Sequence, residues 1–208
     1  MKRIVILMLI SIISSFSFAQ TDIDEYKFFI NLEFGVSNFF NRSGVSSIDY
    51  EQNHYPTTKY SFIIGLDNSK DYLGLDIFAS EIGAKYNHTL TESIGLYGIG
   101  AIAGYKYHIN ETLFAESNMG IGFLGGVEQI TYNKKDLDAI NRLGFYVKLG
   151  LGLGVEVNKM SFGLKGDVLG GYLQDKRSKL PTELKEYKNQ NNRMIDACNI
   201  SVFFKVKM

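Results

Sequence analysis

Residues 143–157 read Leu-Gly-Phe-Tyr-Val-Lys-Leu-Gly-Leu-Gly-Leu-Gly-Val-Glu-Val. The odd positions, from Leu143 to Val157, are all large and apolar. The even positions are Gly144, Tyr146, Lys148, Gly150, Gly152, Gly154 and Glu156. A period of two over such a run predicts a β-strand, because successive side chains leave a strand on opposite faces. It is far longer than the usual strand of about 5–6 residues. At ~3.3 Å per residue it extends for roughly 50 Å. Tilted by ~40°, it rises on the order of 35–40 Å, enough to cross a bilayer core and project beyond it.

The same alternation recurs on both sides of this stretch. Upstream, residues 28–40, 60–67, 72–87, 94–108 and 113–128 alternate; downstream, so do the stretch after Met160 and the chain end from about Arg193. In 72–87 the apolar phase passes from Leu73, Leu75, Ile77 and Ala79 to Ile82, Ala84 and Tyr86. A one-residue slip predicts a β-bulge near Ser80-Glu81. Short polar runs at 68–71, 109–112 and 158–160 read as tight turns. Residues 41–57, 130–142 and 175–192 read as long loops, with a shorter one at 88–93.

The expected fold is therefore all-β: an eight-stranded antiparallel up-and-down transmembrane β-barrel. Long loops gather at one rim and short turns at the other, with both chain ends on the short-turn rim. Residues 1–19 read as a signal peptide, with basic Lys2-Arg3, an apolar Ile4–Ile13 and the small-x-small Ser17-Phe18-Ala19. Residues 20–208 form the barrel domain.

Alternation alone also suits a soluble barrel with its apolar face inward. The polar face favours the membrane form. Glycine occupies four of its seven positions in 143–157. Glycine weakens a solvated strand face, but a narrow lumen has little room for large side chains. Between the glycines stand charges of both signs, Glu33, Asp76, Glu116, Lys148, Glu156, Lys165, Asp167 and Lys205. Inside a barrel these can pair. The opposite faces almost lack charge, as contact with lipid requires. Tyr60, Tyr97, Tyr105, Tyr107 and Tyr172 fall near strand ends, where an interfacial girdle belongs.

Composition excludes several function classes. Lys and Arg number 22, as do Asp and Glu. No basic stripe points to nucleic acid. Cys198 is the only cysteine, so no internal disulfide forms, and it reads as a small strand residue. The glycine runs at 98–104 and 150–154 superficially resemble nucleotide loops, but such loops open a helix and these continue as strands. No cofactor is expected. His54 lies near Ser46, Ser47 and Asp49 in the first long loop, a set that could serve acyl chemistry. Its spacing is unspecific and no catalytic residue is assigned. His88 and His108 have no companion at metal-ligand spacing, so no metal site is assigned. Loop 175–192 carries five basic and three acidic residues and could meet lipopolysaccharide phosphates. The sequons at Asn41, Asn87 and Asn110 read as chance matches.

The leader, the eight staves and the final Ile200-x-Val202-x-Phe204-x-Val206-x-Met208 resemble the small outer-membrane β-barrel family of Gram-negative bacteria, including OmpA-, OmpX- and PorT-like domains. The resemblance implies an outer-membrane location, contact with membrane lipid and lipopolysaccharide, and assembly by the barrel-assembly machinery through the C-terminal strand. That strand commonly ends in an aromatic residue in the family, whereas this chain ends in Met208. The family implies no single activity. The leading expectation is a non-enzymatic barrel that anchors surface loops for binding or envelope structure. The alternatives are a PorT-like accessory subunit of a secretion or envelope-assembly complex, with envelope protein partners, and a lipid-modifying enzyme.

Overall fold

The computed structural model describes residues 26–39, 53–54, 57–68, 70–85, 90–132, 134–136, 139–174 and 192–208. Eight long strands carry the architecture. They are β1 (Lys27–Phe39), β2 (Thr57–Asp67), β3 (Asp71–Lys85), β4 (Leu90–His108), β5 (Leu113–Tyr132), β6 (Ile140–Val157), β7 (Met160–Gln174) and β8 (Asn192–Lys207). Each pairs antiparallel with its sequence neighbours, and β1 pairs with β8, so the sheet closes. Closure removes both sheet edges. Two further two-residue pairings extend the long-loop rim: Asn53–His54 against β3, and Lys135–Asp136 against β5.

The stagger of the barrel follows from the register. Tracing paired residues from Phe29 through Gly65, Gly74, Ile102, Gly120, Lys148, Leu169 and Ala197 leads back to β1 at Phe39, ten residues further along. A closed sheet with this shear has strands tilted by ~35–45°.

Local chemistry sets the tight turns. Asn68 Oδ1 accepts hydrogen bonds from the amides of Lys70 and Asp71, both at 2.7 Å. Asn110 Oδ1 does the same for Thr112 at 2.9 Å and Leu113 at 2.7 Å. Asn158 adopts a φ of 56°, which asparagine tolerates and β-branched residues do not. The start of β1 meets the end of β8 at this rim, where the Met208 amide donates to the Phe28 carbonyl at 2.8 Å.

The strands run longer than the alternation alone marks. β2 begins at Thr57, β4 begins at Leu90, and β5 reaches Tyr132 before turning into the Lys135–Asp136 pairing. The bulge expected at Ser80-Glu81 is absent. β3 keeps one unbroken register with β4, from Asp71 opposite Tyr105 to Lys85 opposite Thr91. Glu81 faces outward and Ser80 is half-buried, continuing the alternation. The odd residue lies on the other side of β3: four residues separate His54 from Lys59, whereas three separate their partners Ala84 and Ser80. The change of hydrophobic phase has another cause. The inward face itself becomes apolar toward the long-loop rim: Ile82 pairs with Ile94, which is buried, as is Leu96.

Candidate functional site: the lumen and the outer wall

The wall faces lipid on one side and a filled lumen on the other. Outward side chains of every strand are apolar and exposed, including Phe34, Phe62, Ile77, Ile99, Phe123, Leu151, Leu164 and Val202. Tyr60 and Tyr97, toward the long-loop ends, and Tyr105 and Tyr107, beside the opposite rim, are exposed as expected; Tyr172 is half-exposed against Phe145. Outward charges occur near strand ends, at Lys27, Glu81 and Asp196. Continuous apolar exposure of this kind is incompatible with water and fits a bilayer.

Seven of the eight charges predicted to face inward are buried, and the eighth, Glu156, is half-buried at the short-turn rim. They form layers. Nearest the short turns, Asp67 Oδ2 lies 2.6 Å from Lys106 Nζ and 3.0 Å from Lys205 Nζ, and Asp67 Oδ1 lies 3.2 Å from Lys207 Nζ. Lys207 also reaches Glu156 at 2.7 Å. The Lys205 ammonium stands over the rings of Tyr72 and Phe29, 4.1 and 4.7 Å from their centroids, which stabilises the cation where water is scarce.

Mid-barrel, Glu33 accepts from Lys165 and Asp167 accepts from Lys59, each at 2.5 Å. Lys148 pairs with Asp76. Asp76 also accepts from Ser61 at 2.6 Å, and Asp167 from Asn199 at 2.5 Å. Each ion has a counter-ion, and the carboxylates of Glu33, Asp76 and Asp167 each accept a further hydrogen bond, which offsets the desolvation cost.

Above this layer comes an apolar one. Phe78, Ile94, Leu96, Leu124, Tyr146, Leu169, Leu173, Ile195 and Ala197 form one buried cluster. Arg142 and Glu128 pair at 2.5 Å toward the long-loop rim. The lumen is thus a packed interior.

The lumenal glycines accommodate these fillings. A Cβ on Gly98 would lie 2.2 Å from Phe78 Cε1, and one on Gly104 would lie 2.3 Å from Tyr72 Cε1. Glycine on one strand therefore seats an aromatic ring from its neighbour.

Parity places Lys59, Arg142 and Lys207 in the lumen too, and the sequence reading passed over them. The signal was present: each shares the parity of an inward neighbour, Ser61, Lys148 and Lys205 respectively. The glycine runs lie inside β4 and β6. Cys198 is half-exposed on β8. The His108 ring lies tilted against that of Phe114 at the short-turn rim, with centroids 6.0 Å apart. For His54 only the backbone pairing with Ala84 is defined. Ser46, Ser47, Asp49, His88, the leader and the charged loop 175–191 lie outside the described residues. Among the described residues no helix is long and apolar enough to cross a membrane.

No family model and no curated protein matches the chain. Solved structures do. OprG from Pseudomonas aeruginosa, an outer membrane protein, superposes with a TM-score of 0.50 at 12% identity, covering 90% of this chain and 99% of that one. This is the fold of an outer-membrane β-barrel. Two further structures resemble the barrel at a lower level. Neisserial surface protein A has a TM-score of 0.48 at 13% identity, over 87% of this chain and 97% of its own. The outer membrane protease OmpT from Escherichia coli has a TM-score of 0.49 at 7% identity, over 91% and 99%.

Proposed function

We propose that this protein is a non-enzymatic anchor of the Gram-negative outer membrane, exported through its 1–19 leader, whose wall holds its long loops at the cell surface for binding. One observation carries the reading: the lumen is blocked by stacked ion-pair layers and by the Phe78–Tyr146 cluster. A barrel filled in this way does not serve as a general pore. What remains for contact is the wall and its rims.

The first test is conductance of the purified mature barrel in planar bilayers, with surface binding of cells carrying loop deletions at 41–52 or 175–191. The expected result is no discrete conductance, and loss of binding to host or envelope ligands on deletion of a loop with the barrel still inserted. Steady channels would overturn the anchor reading. Lipid A mass spectrometry on a His54→Ala strain separates the enzymatic alternative; a changed lipid A profile would favour it. Cross-linked capture through a loop tag separates the accessory-subunit alternative, which requires stoichiometric co-recovery of other envelope proteins.

A further inference from the structure

The apolar belt of the outer wall differs in height around the barrel. On β6 every outward position from Leu143 to Val157 is apolar, and exposed Asn141 and Lys159 bound the run, eighteen positions apart. On β3 the belt holds only Leu73, Leu75, Ile77 and Ala79, between Asp71 and Glu81, ten positions apart. On β2, four strands from β6 in either direction, it runs only from Tyr60 to Leu66. At ~3.3 Å per residue and a tilt of ~40°, the apolar run rises roughly 35 Å on β6 and roughly 15 Å on β2 and β3. The usual band is about 25 Å tall. The stagger fixes the levels. Pairing leads from Glu81 through Gly95 and Val127 to Asn141. Those are three of the eight steps of the ten-residue stagger, so the true level of Glu81 lies about four residues lower on β6, at Phe145. By the same geometry Thr58 on β2, Asn38 on β1 and Asp196 on β8 stand within about one residue of that level. All four of these outward residues are polar and exposed. On the other half of the wall the same level carries Tyr97, Phe123 and Phe145, and Val127 and Leu143 continue the belt above it.

We propose that the bilayer around this barrel is uneven, thinner along β1–β3 and thicker along β5–β7, because the wall is an interface of two heights. A rigid tilt raises one side of the belt and lowers the other, but leaves the height of each side almost unchanged. No orientation in a flat slab therefore satisfies both β3 and β6. In such a slab either Leu143 and Phe145 face water, or Glu81 and Asp196 enter hydrocarbon. The first exposes apolar area and the second desolvates a carboxylate. Stretching or compressing the surrounding acyl chains costs little per ångström of mismatch. The occupant of the tall face is lipid, since that face continues the lipid-facing wall without a polar break from Val157 to Leu143. Its neighbours on β5 and β7, Phe123 and Val168, are also exposed and apolar. The inference concerns the wall alone and is independent of what the loops bind.

The chain contains no tryptophan, so a single introduced tryptophan reports one position. Phe145→Trp and Thr58→Trp barrels are folded into phosphatidylcholine vesicles with and without bromine on the upper part of one acyl chain. The expected result is blue-shifted emission from Phe145→Trp that brominated lipid quenches several-fold more strongly than that of Thr58→Trp, although both stand at one level. Thr58→Trp should emit further to the red. Equal quenching of the two would indicate a flat slab and overturn the proposal. Red, unquenched emission from Phe145→Trp would place the upper belt in water and overturn it as well. Blue emission without quenching would mean that protein covers the tall face, which replaces lipid with a second copy of the barrel or another membrane protein. Gel mobility checks folding. Leu143→Trp and Asn38→Trp repeat the comparison if a first variant does not fold, with the same outcomes expected.

Discussion

Lys106 on β4 and Asp67 at the end of β2 meet across the short-turn end of the lumen, Nζ to Oδ2 at 2.6 Å, although they lie 39 positions apart in sequence. Asp67 also serves Lys205 and Lys207. One carboxylate therefore holds three strands together, β4 and β8 being joined through the end of β2. Its removal leaves buried Lys205 without a carboxylate partner among the described residues, and Lys106 and Lys207 with Glu156 alone, at 3.6 and 2.7 Å.

Asp67→Asn should consequently be more damaging than the loss of any one of its lysines. Breaking a buried pair from one side costs about 3–5 kcal/mol. Lys106→Met removes a cation but leaves Asp67 with two others, and should cost less. Urea titrations of the barrel in lipid vesicles measure both. Equal midpoints for the two variants would show that Asp67 is not the hub.

Leu151 lies mid-strand on β6 and is 70% exposed on the outer wall. Leu151→Arg should destabilise the inserted barrel by about 2–4 kcal/mol, while Val157→Arg, beside the short turn, should cost ~0–1 kcal/mol. Folding free energies in vesicles, or the yield of inserted protein, distinguish the two. A penalty at Val157 as large as at Leu151 would contradict this placement of the apolar belt.

Gly98→Ala tests the seating of Phe78. The added methyl would fall 2.2 Å from the ring, so the ring must move. Overpacking of this kind costs about 1–3 kcal/mol. In a Phe78→Leu background the same substitution should be close to neutral, because the ring edge is gone. Additive penalties in the double variant would remove the link between the two residues.

Asn158 occupies the left-handed region at a φ of 56°. Asn158→Gly should be neutral or slightly stabilising, and Asn158→Val should cost on the order of 1–2 kcal/mol through backbone strain. Refolding yield and urea midpoint check the pair.

Much of this architecture was legible in the chain itself. The parity of residues 143–157 carried over intact, with Leu143 to Val157 outward and Tyr146, Lys148 and Gly150 inward. The turns at Asn68, Asn110 and Asn158 were legible because an asparagine acts on its own neighbours. The misplaced bulge marks where this reasoning stops. It assumed that the apolar face always points outward, and the Ile94–Leu96 end of the lumen breaks that assumption.

What the sequence by itself determined is which face the residues take outside the apolar end of β3, the strand count and the rim to which each turn belongs, since period and turn chemistry act within a few residues. Which lysine meets which carboxylate was decided only by the tertiary structure. Glu33 finds Lys165 and Asp76 finds Lys148 because closure with a ten-residue stagger brings distant strands to one height across the lumen. Shear is a property of the closed sheet, and no single strand encodes it.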